Sequence, residues 1–121
     1  ALAGAHAIAM PYTPQGDERK AILDALRPVA VEALGAPIEF AVEKISVSGD
    51  WAFALVTPQR PGGGAIAWDG TVCAGDVSHL VGGLLQKKNG AWSLAASALC
   101  PTDVAWVTWP DDYGVPQELF E

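Results

Sequence analysis

The chain is poor in basic residues. Lys and Arg total 7 against 14 Asp and Glu, which leaves a net charge of −7. Nucleic-acid backbones and anionic membrane surfaces are held by clustered cations. Here only Arg19-Lys20 and Lys87-Lys88 are adjacent, so no nucleic acid and no anionic membrane is expected as partner. Long apolar runs are missing too. None approaches the ~20 residues that cross a bilayer as a helix, so no membrane span is expected. Cysteine and histidine are scarce, two of each, and neither a CxxC nor an HxxxH spacing occurs. No metal is expected on that ground. No cofactor motif stands out either. Gly62-Gly63-Gly64 lacks the Lys-Ser/Thr ending and the following helix of a phosphate loop.

What the chain has is apolar content. Half of its 121 residues are hydrophobic. A chain of this size is one domain and buries roughly two thirds of its unfolded surface. Residues 1–16 carry Ala, Pro and Gly without a sustained period and read as an arm; residues 17–121 read as the domain. The arm contains Ala5-His6-Ala7, the small-x-small pattern of a secretory cleavage site. The expectation is an exported, periplasmic or secreted protein whose arm retains part of a leader or lies next to one.

From Asp17 a helical period begins. Ile22, Leu26, Val29 and Ala33 share one stripe, with Leu23, Ala30 and Leu34 beside it. Asp17 and Glu18 suit the positive end of a helix, and Gly35 with Pro37 stops it. This predicts a helix over 17–34, bent or broken at Pro28, whose missing N–H would otherwise reach the Asp24 carbonyl.

Strands follow. Ile38, Phe40 and Val42 alternate, and the phase then slips to Ile45 and Val47, which predicts a bulge near Glu43-Lys44. Ser48-Gly49-Asp50-Trp51 and Asn89-Gly90-Ala91-Trp92 each join two strand-like runs through a Gly-bearing turn, the pattern of a β-hairpin. A three-residue loop at Ser48-Gly49-Asp50 sets Val47 against Trp51 and Ile45 against Phe53, good cross-strand pairs. A two-residue loop sets Val47 against Ala52. Ala65 to Trp68 reads as a short strand after the Pro- and Gly-rich loop 58–64. In the last hairpin, Val77 to Lys87 pairs with Trp92 to Leu99. Counting from Asn89-Gly90 places Leu85 against Leu94, Gly83 against Ala96, Val81 against Ala98 and His79 against Cys100. Leu80 then meets Leu99, and Gly82 meets Ser97. Gly82, Gly83 and Ala96 leave a shallow in the sheet, for a close-packed helix or a ligand cavity. Residues 102–109 suit a helix capped by Thr102 or Asp103 and stopped by Pro110, or a strand. Tyr113, Leu119 and Phe120 would pin the tail.

One helix followed by an antiparallel meander is an α+β arrangement. On the helix 17–34, the strand 38–47 and the two hairpins, the chain resembles the cystatin-like and nuclear-transport-factor-like α+β rolls. It is also similar to small exported bacterial domains ending in a Thr-Asp-Val-Ala-Trp segment, here Thr102 to Trp106. The resemblance implies one N-terminal helix on a curled antiparallel sheet of four or more strands. Such rolls include enzymes, ligand binders and interaction modules.

The chemistry-bearing side chains gather at Cys73, Asp76, His79, Cys100 and Asp103. The first reading is a Cys73–Cys100 disulfide with His79 as a neighbour. The second is a catalytic pair, Cys100 as thiolate beside His79 with Asp76 or Asp103 orienting the imidazole. The third is zinc held by Cys73, His79, Cys100 and one carboxylate. His6 in the arm and the turn at Asp111-Asp112 suggest no site. Of the five Trp residues, Trp106 and Trp109 lie three apart and share a face if helical, so they are the candidate ligand or partner surface. The leading expectation is a non-enzymatic domain that binds a small apolar molecule or a protein partner, with a homodimer left open. The alternatives are a roll-type enzyme and a structural or inhibitory interaction module.

Overall fold

Ile22, Leu26, Ala30 and Leu34 recur every four residues and are the buried residues of α1 (Gly16–Leu34). The stripe expected through Val29 and Ala33 lies beside this one, partly buried. The computed structural model describes residues 10–75, 78–101 and 105–121. Of the bend or break expected at Pro28, the break does not occur: α1 runs as one helix through it. Asp24 and Pro28 both face solvent, where water can satisfy the freed carbonyl, so the helix tolerates the lost bond. Lys20 and Arg27 hold Asp24 at 2.7 and 3.3 Å. The Lys20 hydrogen bond, seconded by Arg27, keeps the Asp24 carboxyl below its ordinary pKa against a smaller upward push from burial. This depressed pKa stabilises the fold above the ordinary carboxylate range, and the contribution fades as pH falls through it. On an exposed helix face it is worth a few tenths of a kcal/mol, about 0.3–0.5.

The four strands form one antiparallel sheet in chain order: β1 (Glu39–Ser48), β2 (Trp51–Gln59), β3 (Val81–Lys88) and β4 (Ala91–Leu99). The protein is thus α+β, one N-terminal helix on a four-stranded sheet that is not closed into a barrel. The β1 bulge falls where the alternation slips, between Val42 and Lys44. The first hairpin departs from the longer loop. Val47 pairs with Ala52 and Ser48 with Trp51 across a two-residue turn. Gly49 takes φ 60 while Asp50 does not turn positive, the type II′ pattern whose twist matches the strands. The reason lies in α1. Ile45, Val47, Ala52, Ala54 and Val56 form one face and bury against Ile22 and Leu26. Small residues opposite large ones make room for the helix. Best pairwise matching of large side chains would not.

The other face is covered as well. Trp51, Phe53, Leu55 and Leu84 face the C-terminal segment, where 3-10 turns at Ala105–Thr108 and Gln117–Phe120 flank α2 (Trp109–Tyr113). Phe53 is the hub, with ring centroids 4.8 Å from Phe120, 5.8 Å from Trp106 and 6.3 Å from Trp109. The buried Ser46 hydroxyl donates to the Leu119 carbonyl and ties the tail to β1. Tyr113, Leu119 and Phe120 do pin the tail. Segment 105–109 is helical rather than extended. Pro110 does not stop it but sits in the first turn of α2, where its missing N–H has no intrahelical partner to lose. The caps expected at Thr102 and Asp103 lie outside the described residues.

Between β2 and β3 the chain is irregular. The strand expected over Ala65–Trp68 is absent. Residues 65–67 are coil and Trp68–Gly70 is a 3-10 turn, held as Thr71 bonds back to the Trp68 carbonyl through both its N–H and its hydroxyl. Arg60 opens this loop and caps α1. Its guanidinium donates to the carbonyls of Leu34, Gly35 and Pro37 at 2.9, 2.6 and 3.1 Å. The last turn of α1 has no basic residue, so Arg60 supplies the cation that the negative helix end favours. Arg60→Ala should lower the unfolding free energy by about 1–2 kcal/mol in urea melts. Arg60→Lys should recover only part of it, because one ammonium cannot reach three carbonyls in a fork.

Candidate functional site: the free edge of β4

The chain-order sheet leaves β1 and β4 as its edges. The arm meets one of them at a single bridge. Tyr12 forms a reciprocal bridge with Val47 at 2.8 and 2.9 Å, and its hydroxyl donates to Glu18 at 2.9 Å. Partial burial, then the Glu18 carboxylate, raise the Tyr12 pKa above 10.0. No described strand covers the outer edge of β4.

The hydrogen-bonding phase of β4 follows from its pairing. Lys88 pairs with Ala91 beside the two-residue turn, and Gln86 with Ser93. Those residues bond inward, so Trp92 and Leu94 point their N–H and C=O outward. At the far end the Cys100 N–H donates to the Leu80 carbonyl at 2.8 Å, which makes Ser97 and Leu99 the outward residues there. Ala95 is the extra residue of a bulge between Leu85–Leu94 and Leu84–Ala96. This bulge overturns the counted register beyond Leu94. Gly83 pairs with Ser97, Gly82 with Ala98 and Val81 with Leu99. The bulge keeps Ala95 and Ala96 both over the C-terminal segment, while Leu94 and Leu99 stay under α1.

The shift separates the expected pair. His79 does not sit opposite Cys100. It stacks on Trp68 instead, centroids 4.0 Å apart and planes 7° off parallel. Cys100 is bonded to Cys73, Cα atoms 5.7 Å apart, as the first reading of the five-residue cluster expected. Sulfur in a disulfide is neither a thiolate nucleophile nor a metal ligand, so the second and third readings lose their central atom. Asp76 and Asp103 lie outside the described residues. Among those described, no three His, Cys, Asp or Glu side chains gather closely enough to hold a metal ion.

The shallow at Gly82 and Gly83 is occupied from both faces. A methyl added to Gly83 would lie 2.6 Å from Leu26 Cδ1, and one on Gly82 would lie 3.3 Å from the Trp106 ring. Ala96 packs with the C-terminal cluster. Trp109 is buried there, and Trp106 is half-buried against Phe53 and Gly82. An open surface lies elsewhere. A groove of ≈ 470 Å³ runs beside the β4 edge, lined by Val29, Glu32 and Ala33 of α1, Ser97 and Leu99 of β4, and Val72 of the long loop. Val72 is 73% exposed at its rim.

The sequence held one signal for this edge. No charged residue occurs between Lys88 and Asp103. Natural edge strands are ordinarily blunted by charge, proline or a bulge; β4 has neither charge nor proline, and its one bulge is at Ala95.

Compared with known proteins, the chain matches no family model, no curated protein and no solved structure.

Proposed function

We propose that this is a non-enzymatic, extracytoplasmic protein-binding domain that takes an extended segment of its partner along the outer edge of β4. The observation that carries the reading is the uncharged edge at Trp92, Leu94, Ser97 and Leu99, beside the ≈ 470 Å³ groove. Strand addition draws affinity from main-chain hydrogen bonds and selectivity from pockets for alternate side chains. An edge with outward N–H and C=O groups offers the first, and the groove offers the second. A small apolar molecule could enter the same groove but would leave those backbone groups unused. The filled shallow at Gly82 and Gly83 also favours a protein over a molecule held in the core. The disulfide is compatible with an oxidising, extracytoplasmic compartment, and the cleavage-like Ala5-His6-Ala7 supports export. The element order supports a place among the cystatin-like α+β rolls.

A capped decapeptide of alternating Val and Thr is an extended, uncharged probe. Titrated into the labelled protein, it should shift the amide resonances of Trp92, Leu94, Ser97 and Leu99 together with those of Val29 and Ala33. Shifts confined to the outer face of α1 at Arg27 and Val31, or none at millimolar peptide in a protein that sediments as a monomer, would refute strand addition.

A further inference from the structure

We infer that the segment received by the β4 edge is β4 of a second copy, so that two chains join into one eight-stranded antiparallel sheet about a two-fold axis. This rests on the strand-addition reading and names its partner. The argument is one of charge and shape at the two ends of a single strand.

The side chains of Leu94 and Leu99 lie under α1, and Ser97 and Leu99 open into the groove on that face. Trp92 packs on the same side and lies under the Lys87 ammonium, 5.8 Å from its ring centroid. The helix-side face of β4 therefore carries a cation at its start and a carboxylate, Glu32, at its end. An antiparallel neighbour must offer an acid opposite the start and a base opposite the end. A second copy offers both. Lys87 of each copy then approaches Glu32 of the other.

The same pairing sets Trp92 opposite the partner copy's Leu99 and Leu94 opposite its Ser97. Outward-bonding residues then meet outward-bonding residues, and paired side chains share a face, as an antiparallel ladder requires. Each Trp92 extends toward the other copy's groove of Val29, Ala33 and Val72, an aromatic anchor in an apolar cleft. The bulge residues meet at the axis. They are Ala95 and Ala96, too small to clash. Tyr113 donates to the Ala95 carbonyl at 3.4 Å, a residue outside the paired set. Identical patches on both copies make the contact isologous and closed, so it ends at a dimer.

Sedimentation equilibrium at about 0.15 M salt, where charges beyond ~8 Å are screened, should return twice the chain mass of 12.6 kDa. Ser97 is exposed on the edge, so Ser97→Lys should leave the fold intact and yield a monomer. Glu32→Lys and Lys87→Glu should each weaken the dimer by roughly tenfold, and the two together should restore it, since like charges face each other only in the single variants. In the wild type, the amides of Trp92, Leu94, Ser97 and Leu99 should exchange slowly. A monomer throughout would overturn self-pairing, as would a dimer whose edge amides exchange fast or which ignores Ser97→Lys. A synthetic peptide of residues 87–99, added to a monomeric wild type, then separates the two ideas. If the Val/Thr decapeptide shifts the edge amides and this peptide does not, strand addition stands with a different partner. If neither does, both readings fall.

Discussion

Leu26→Ala is expected to lower the unfolding free energy by about 3–5 kcal/mol, the upper range for a buried leucine. Leu26 is 0% exposed. Its Cδ1 fills the space that a side chain on Gly83 would take, 2.6 Å from an added methyl. The helix and sheet are close enough here that a side chain at position 83 has no room. Sheet residues on both sides of it are held in strands with inward-bonded partners, so little collapse can refill the cavity. Gly83→Ala alone should also destabilise, by about 1–3 kcal/mol, because the added methyl would press on Leu26 Cδ1 at 2.6 Å and Leu94 Cδ1 at 3.3 Å. The pair should not add. With Leu26 truncated, the Gly83 methyl occupies vacated volume, and its cost should fall by at least about 1 kcal/mol. Urea unfolding of the two single variants and the double variant closes the cycle. Simple additivity would show that Leu26 and Gly83 do not share that space.

The positions where expectation met structure have a common physical basis. The helix, both hairpins and the β1 bulge rest on local periodicity, which the chain states residue by residue. The helix, half of its buried face and the places of the turns were legible for that reason. What was missed required a third body. The Ser48–Trp51 turn is short because α1 needs small residues beneath it, and pairwise strand matching does not contain the helix. The Ala95 bulge keeps Leu94 and Leu99 under α1 while Ala95 and Ala96 face the C-terminal segment, and neither layer is visible from the strand. That one inserted residue moved His79 out of register with Cys100, and it is the Cys73–Cys100 bond that removes the sulfur both the catalytic and zinc readings need. Pro28 was read as a bend or a break and Pro110 as a stop, yet Pro28 faces water inside one helix and Pro110 begins another. The free edge of β4 was legible only as an absence, the lack of charge between Lys88 and Asp103. Its groove joins residues as distant as Val29, Val72 and Ser97, so no local pattern could mark it.

Cys73→Ala/Cys100→Ala is expected to cost about 3–4 kcal/mol, the chain-entropy value for a bond closing a sequence separation of 27. Alanine is the better replacement, because both cysteines are buried among Ala30, Leu34, Ile38 and Ile66 and a serine hydroxyl there would need a partner. The loss should act mainly on the unfolded chain. The denaturant slope should then rise with the midpoint lowered, since a chain without its cross-link exposes more surface on unfolding. Alkylating the denatured wild type should add no group before reduction and two groups after it. Two groups before reduction would mean free thiols and would reopen the chemistry of Cys100. The bond also anchors the loop that carries Val72 to the end of β4, one residue beyond Leu99. Without it, the loop around Val72 keeps the short local bonds among Trp68, Thr71, Cys73 and Ala74, the Trp68–His79 stack and the buried Ile66, but no covalent tie to β4. The groove beside the β4 edge should lose its rim before the sheet loses its order. In the double alanine variant at low denaturant, binding at the β4 edge should therefore weaken while the amides of β2 and β3 stay protected. If edge binding survives until the whole sheet melts, the loop contributes nothing to the site.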